Sequence, residues 1–221
     1  MLQGHTLTFL SQLKANNNAA WFAANRPAYE AAKADFQQLV GQVLAGLATA
    51  DPAIGRAGLD PRKCLFRINR DVRFSADKSP YKTNFAAWFN VGGKGAPTAG
   101  YYLHVEPGAS LVAGGMYMPA PDVLARIRQE IDYNLHAFEA LLSQPAFARQ
   151  FRELSRENVL QRPPKGYEVT NPALQYLKLK SFTASQPLPD ADMRRPDLAQ
   201  RIGDAFASLQ PLVAFLNKAL S

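Results

Sequence analysis

Arg67, Arg70 and Arg73 recur every three residues, and Lys78 and Lys82 follow before Asn84. A guanidinium presents a planar fork of donors that matches a carboxylate or phosphate, and an ammonium acts as a compact point charge. Asp71 stands among these cations, and Tyr81 adds a hydroxyl and an aromatic face. The segment 67–84 therefore reads as a basic loop suited to a small anionic or phosphorylated ligand. Arg67, Arg70 and Arg73 would hold charge, and Lys78 and Lys82 would stand at the rim. Two other roles suit the same residues. A basic stretch can serve a nucleic-acid-associated protein. Alternatively, Arg70–Asp71 and Asp77–Lys78 can pair internally and order a scaffold or interaction domain.

His104 and Glu106 form a second constellation. They lie two apart on an expected strand, so they share a face with Tyr102. Such a pair is the best candidate here for acid–base work. Tyr102 would supply a hydrogen bond or a stacking surface to the ligand. His-x-Glu also occurs in zinc deaminases, but their Pro-Cys-x-x-Cys partner motif is missing. Nothing stands at ligand spacing from His104, so no metal site is expected, and no motif names a cofactor. Cys64 shares its expected strand face with Phe66 and Ile68 and reads as a core cysteine. Gly92-Gly93-Lys94-Gly95 lacks the Walker spacing and reads as a hairpin connection. Gly114-Gly115 signals a bulge or a close approach of backbone to another group. Trp21, Phe22, Trp88 and Phe89 read as core positions rather than as base-stacking platforms.

These residues need elements to hold them. Thr6–Lys14 reads as a short helix ended by Asn16-Asn17-Asn18. Asn25 is positioned to cap a longer one, with Pro27 in its first turn. Tyr29, Phe36, Leu39, Val40, Val43, Leu44 and Leu47 then recur at helical spacing as far as Ala50. From Lys63 to Met118 the period becomes two. Four strands are expected, over 63–69, 85–91, 101–106 and 110–118, and short Gly- and Pro-containing gaps favour antiparallel neighbours. Pro121 opens a helix whose stripe is Val123, Leu124, Ile127 and Ile131. Helical segments continue through Phe138 to Leu154. Residues 172–185 read as a helical turn leading into an edge strand. A last helix follows Pro196, with a kink or break expected at Pro211.

The arrangement implies an α+β fold. A single domain, 1–221, would contain a mostly antiparallel sheet at about residues 63–118, packed with N-terminal and C-terminal helices. The composition agrees: 221 residues, 47% hydrophobic and 19% charged, suffice for one sizeable core. One cysteine excludes a disulfide scaffold and Cys-rich zinc sites. Met1–Thr6 shows neither a basic nor an apolar leader region, and no run approaches the ~18 apolar residues of a membrane helix, so a cytoplasmic protein without membrane partners is expected. The formal charge is +7, and residues 62–82 carry seven basic against two acidic residues. The excess is thus a local feature rather than a diffuse coat.

The central motif, Arg67-Ile68-Asn69-Arg70-Asp71-Val72-Arg73-Phe74 followed by Lys78-Ser79-Pro80-Tyr81-Lys82-Thr83-Asn84, resembles the signature of domain-of-unknown-function family 2461, a conserved hypothetical protein of bacteria and fungi. Ala20-Trp21-Phe22 with Tyr29, Gly100–Pro107 and Gly114–Pro119 extend the resemblance in order along nearly the whole chain. It implies a single α+β domain, and brings no catalytic residues with it.

Overall fold

A computed structural model describes all residues, 1–221. Five helices come first: α1 (Gly4–Ala15), α2 (Ala19–Ala24), α3 (Arg26–Ala50), α4 (Pro52–Ala57) and α5 (Pro61–Cys64). Three strands follow, β1 (Phe85–Asn90), β2 (Gly100–Val105) and β3 (Leu111–Met116). Then come α6 (Pro121–Tyr133), α7 (Leu135–Leu142), α8 (Pro145–Phe151), α9 (Leu174–Leu177), β4 (Phe182–Pro187), a 3-10 turn at Asp190–Asp192 and α10 (Leu198–Lys218). The strands form one antiparallel sheet in the order β1-β2-β3-β4. The α+β class is as expected.

One face of the sheet is closed. Ala87, Phe89, Tyr101, Leu103, Val112 and Ala184 alternate inward and are buried against α3 and α10. The Phe36 and Phe85 rings stack at 5.5 Å, and Phe206 of α10 sits 5.2 Å from Tyr101 and 5.8 Å from Phe89. Asp51 ends α3 but is itself buried. Its Oδ1 accepts from the Ala53 amide at the start of α4, and its Oδ2 accepts from the Tyr101 hydroxyl at 2.7 Å. A stop signal in the sequence thus doubles as the polar tie between helix layer and sheet. The opposite sheet face carries Trp88, Tyr102, His104 and Ala113, which no helix covers fully.

The structure differs from the sequence reading in three places. Residues 63–69 form no strand. Asp60 accepts from the Arg62 amide and Pro61 opens a helical turn, a cap-plus-proline signal that overrides the alternation behind it. Leu65 and Asn69 keep only isolated bridges, to Ala87 and Tyr81, and Phe66 is exposed while Cys64 and Ile68 are buried. The sheet therefore begins at Phe85, not Lys63, and its fourth strand is the edge strand expected within 172–185, running over 182–187 after the short α9. Asn25 begins α3, but its side chain turns back to donate to the Trp21 carbonyl of α2. Pro211 lies inside a continuous α10; the carbonyl its ring leaves unpaired, four residues earlier, is that of exposed Ala207.

Gly114 and Gly115 mark a close approach of protein to itself. A Cβ on Gly114 would stand 2.8 Å from Leu209 of α10. Gly115 has φ +117°, and a Cβ there would collide with the Phe182 carbonyl of β4. No helix is long and apolar enough to cross a membrane.

Candidate functional site

The uncovered sheet face is the floor of a groove. Strand register sets Trp88 opposite Tyr102, and Tyr102 opposite Ala113. Phe66 forms one wall. The β1–β2 connection, with Lys94 and Pro97, and the segment after β3, with Tyr117 and Pro119, supply the others. This mainly apolar half encloses about 580 Å³. Beyond Phe66 and Tyr102, which line both parts, lies a more polar half of about 460 Å³ bounded by Arg70, Asp71, Lys82, Asn84 and His104. Concave, largely apolar sites with a few convergent polar groups are the usual form of small-molecule sites.

At the join between the halves, two cations stand over the Phe66 ring, and the charge of exposed Arg67 reaches one of them. The Lys82 and Lys94 ammoniums sit 5.4 and 5.3 Å from the ring centroid. Lys82 donates to the Arg67 carbonyl at 3.0 Å and Lys94 to the Leu65 carbonyl. Burial first, then the charges of Arg67 and Lys94, hold the Lys82 ammonium below its usual range. Arg67, Lys82 and Lys94 make no ion pair with any acidic side chain, although other lysines and arginines form ten ion pairs.

The rest of the basic loop turns on itself. Arg70 pairs with Asp77 and reaches Ser75 Oγ at 3.4 Å. Arg73 holds Asp71 bidentately at 2.7 and 3.0 Å. Lys78 donates to the Val72 carbonyl, and the Ser79 hydroxyl and amide donate to Asp77. These bonds hold the Asp71 and Asp77 carboxyls below the usual range: the Arg73 side chain chiefly for Asp71, Ser79 and then Arg70 for Asp77. The pairs expected from adjacent residues, Arg70–Asp71 and Asp77–Lys78, are replaced by Arg70–Asp77 across the loop and by Arg73–Asp71, two residues apart. The three guanidiniums do not converge on one point. Tyr81 stacks on Phe22 at 4.0 Å, and its backbone is held at both ends by Asn17, so it anchors the loop to α2.

Tyr102, His104 and Glu106 form a hydrogen-bonded line beside the polar half. Tyr102 Oη is 3.0 Å from His104 Nδ1, with Asn84 Nδ2 at 3.3 Å, and His104 Nε2 is 3.1 Å from Glu106 Oε2. Thr83 donates to Glu106 Oε1 at 2.8 Å, and Lys14 lies 3.6 Å from the same oxygen. Burial alone would raise the Glu106 carboxyl. The Thr83 and His104 bonds outweigh it, so Glu106 is held below the usual carboxylate range. Burial, aided by the Glu106 charge, raises the Tyr102 phenol. Glu106 is thus the anion, and Tyr102 remains a donor at neutral pH. Cys64 is buried and its thiol raised by desolvation, in keeping with a core role. No cluster of three or more His, Cys, Asp or Glu side chains comes together.

Of the residues singled out in the sequence, Arg70, Asp71, Lys82, Tyr102 and His104 line the groove and Arg67, Arg73, Lys78 and Tyr81 do not. Phe66, Trp88 and Lys94 line it without having been singled out as ligand residues. Lys94 sits in the glycine-rich hairpin, and only the strand register folds that hairpin back beside Phe66. A family model described as "Conserved hypothetical protein (DUF2461)" matches residues 5–215. No curated protein and no solved structure matches the chain.

Proposed function

The chain belongs to the DUF2461 family, and we propose that its groove binds a small molecule with a flat apolar body and an anionic group. The body lies on Trp88 and Tyr102, and the anion meets the cations around Phe66. The observation that carries this reading is the pair Lys82 and Lys94, both over the Phe66 ring and neither with a carboxylate partner, where the apolar cavity meets its polar half. The charge of exposed Arg67 also reaches Lys82. Like charges held close in a partly dry site repel one another, and an arriving anion relieves that repulsion.

Trp88 reports occupancy directly. In a Trp21→Phe background, anilinonaphthalene sulfonate is expected to quench Trp88 saturably, and Lys94→Ala to weaken binding about tenfold, the scale of one charge-assisted hydrogen bond. Phosphorylated aromatics extend the same titration. Equal binding of an uncharged naphthalene, or indifference to Lys94→Ala, overturns the reading.

A second reading, turnover of the bound molecule, is favoured by the Tyr102–His104–Glu106 line. His104 would exchange a proton with the ligand, directly or through the Tyr102 hydroxyl, and Glu106 would orient the imidazole. Incubation with a panel of phosphorylated and carboxylated metabolites tests it by product detection. A product formed by wild type and abolished by His104→Gln, with probe binding intact, supports it. Equal conversion by both proteins sinks it.

A further inference from the structure

A second cavity, of about 500 Å³, opens between α6 and residues 164–167. Helix α6 presents Arg128, Gln129, Asp132 and Tyr133 to it, and the loop presents Lys165 and Tyr167. None of these residues belongs to the groove on the sheet.

Arg128 is the anomaly. Its Nη2 donates to the Leu179 carbonyl at 3.1 Å, which ties α6 to the start of the β4 segment. Its Nε is buried with no hydrogen-bond partner. The other buried polar side-chain atoms without partners belong to the neutral amides of Asn90 and Gln186. Burial, only partly offset by Tyr167, lowers the Arg128 guanidinium, the opposite of Arg62, Arg73 and Arg195, which their aspartates raise. A guanidinium has five donors; the Arg128 side chain is half-buried, and leaving its buried Nε–H without an acceptor is costly. Asp132, one helical turn on, does not pay that debt: its Oδ1 accepts from Asn171 Nδ2 at 2.7 Å, and it forms no ion pair with Arg128.

We propose that this cavity is a second binding site, for a small oxyanion, carboxylate or phosphate, held by Arg128 and Lys165. The Arg128 fork supplies directed donors, and Lys165 supplies charge at the mouth. Tyr133, 74% exposed, and Tyr167 flank the opening and provide surfaces for a planar substituent. Asp132 makes the site selective, because it repels a ligand with a second negative group near the first and favours one with a donor there.

The test is nuclear magnetic resonance of the full chain titrated with inorganic phosphate and, separately, with acetate. The Arg128 Nε–H and the Gly166 amide are the reporters. Expected is a saturable shift of both with at least one oxyanion, and the tighter of the two names the head group. Lys165→Ala, an exposed position that leaves the fold intact, is expected to weaken binding about fivefold or more, the loss of one ionic contact in a partly buried site. Arg128→Lys keeps the charge but loses the fork and is expected to weaken it as well. Lys94→Ala leaves these shifts unchanged, which separates this site from the groove. Shifts that fail to saturate at millimolar levels with both anions, or that survive Lys165→Ala undiminished, overturn the proposal.

Discussion

The Tyr102 hydroxyl lies 3.0 Å from Nδ1 of His104, two residues along the same strand. Glu106 accepts only, so the ring proton of a neutral His104 belongs on Nε2 and Nδ1 is left to accept from Tyr102 and Asn84. Ring nitrogen shifts check this. The Nε2–H tautomer is expected in the wild type, with Nδ1–H appearing in Glu106→Gln. A wild-type Nδ1–H tautomer refutes the assignment.

Glu106 also makes stability depend on pH. Its folded-state carboxyl is lowered, so its contribution is present above the ordinary carboxylate range and lost as pH falls through the folded value. Urea unfolding across a pH series is expected to show Glu106→Gln less stable at neutral pH, with the gap to wild type closing below about pH 4. A gap constant with pH would show that the carboxylate charge is not involved.

Tyr101 and Asp51 tie the helices to the sheet. Tyr101→Phe leaves a buried carboxylate oxygen with one partner fewer, and a loss of about 1–3 kcal/mol is expected by denaturant unfolding. Asp51→Ala removes the α4 cap as well and is expected to cost more. Equal stability of Tyr101→Phe and wild type would rule the tie out.

Gly115 tolerates no side chain. Its φ of +117° and the facing Phe182 carbonyl predict that Gly115→Ala costs at least about 3 kcal/mol or prevents folding. Gly92→Ala, also at positive φ but beside only the Ala96 methyl in an exposed hairpin, is the milder comparison. Thermal melting of the pair measures the difference, and equal losses would place the strain in φ alone.

The Arg73–Asp71 pair is exposed, and solvent-screened pairs of this kind contribute little. Arg73→Ala is expected to leave global stability essentially unchanged. Its effect should appear locally, as faster amide hydrogen exchange over 71–77. Unchanged exchange there would mean that the pair does not order the loop.

Much of the fold was legible because local rules carried it. The 3.6-residue stripe from Tyr29 to Leu47 is a helix, Pro121 and the apolar stripe behind it open another, and the alternation at 101–105 is a strand whose inward side chains are buried. The misread stretch, 63–69, had two local signals in conflict, and the Asp60-Pro61 cap prevailed over a weak alternation. The shared face of Tyr102, His104 and Glu106 followed from period two alone, and the structure joins them in one hydrogen-bonded line.

What the chain by itself determined is therefore its helical stripes, its four strands, one polar strand face and one basic loop. Tertiary structure alone decided what the basic residues face. Charge in a sequence has no direction. Arg70 found its acid across the loop, at Asp77, and Arg73 two residues back, at Asp71, whereas Lys82 was left beside Lys94 from a hairpin that the register brings near. The groove floor has the same origin, since Trp88 and Tyr102 are fourteen positions apart in the chain and become partners only when β1 and β2 pair. Arg128 looked like any polar position on an amphipathic helix until the loop at 164–167 and the Leu179 carbonyl closed around it. Periodicity is a property of neighbours in sequence, but burial and partnership depend on segments that sequence keeps apart.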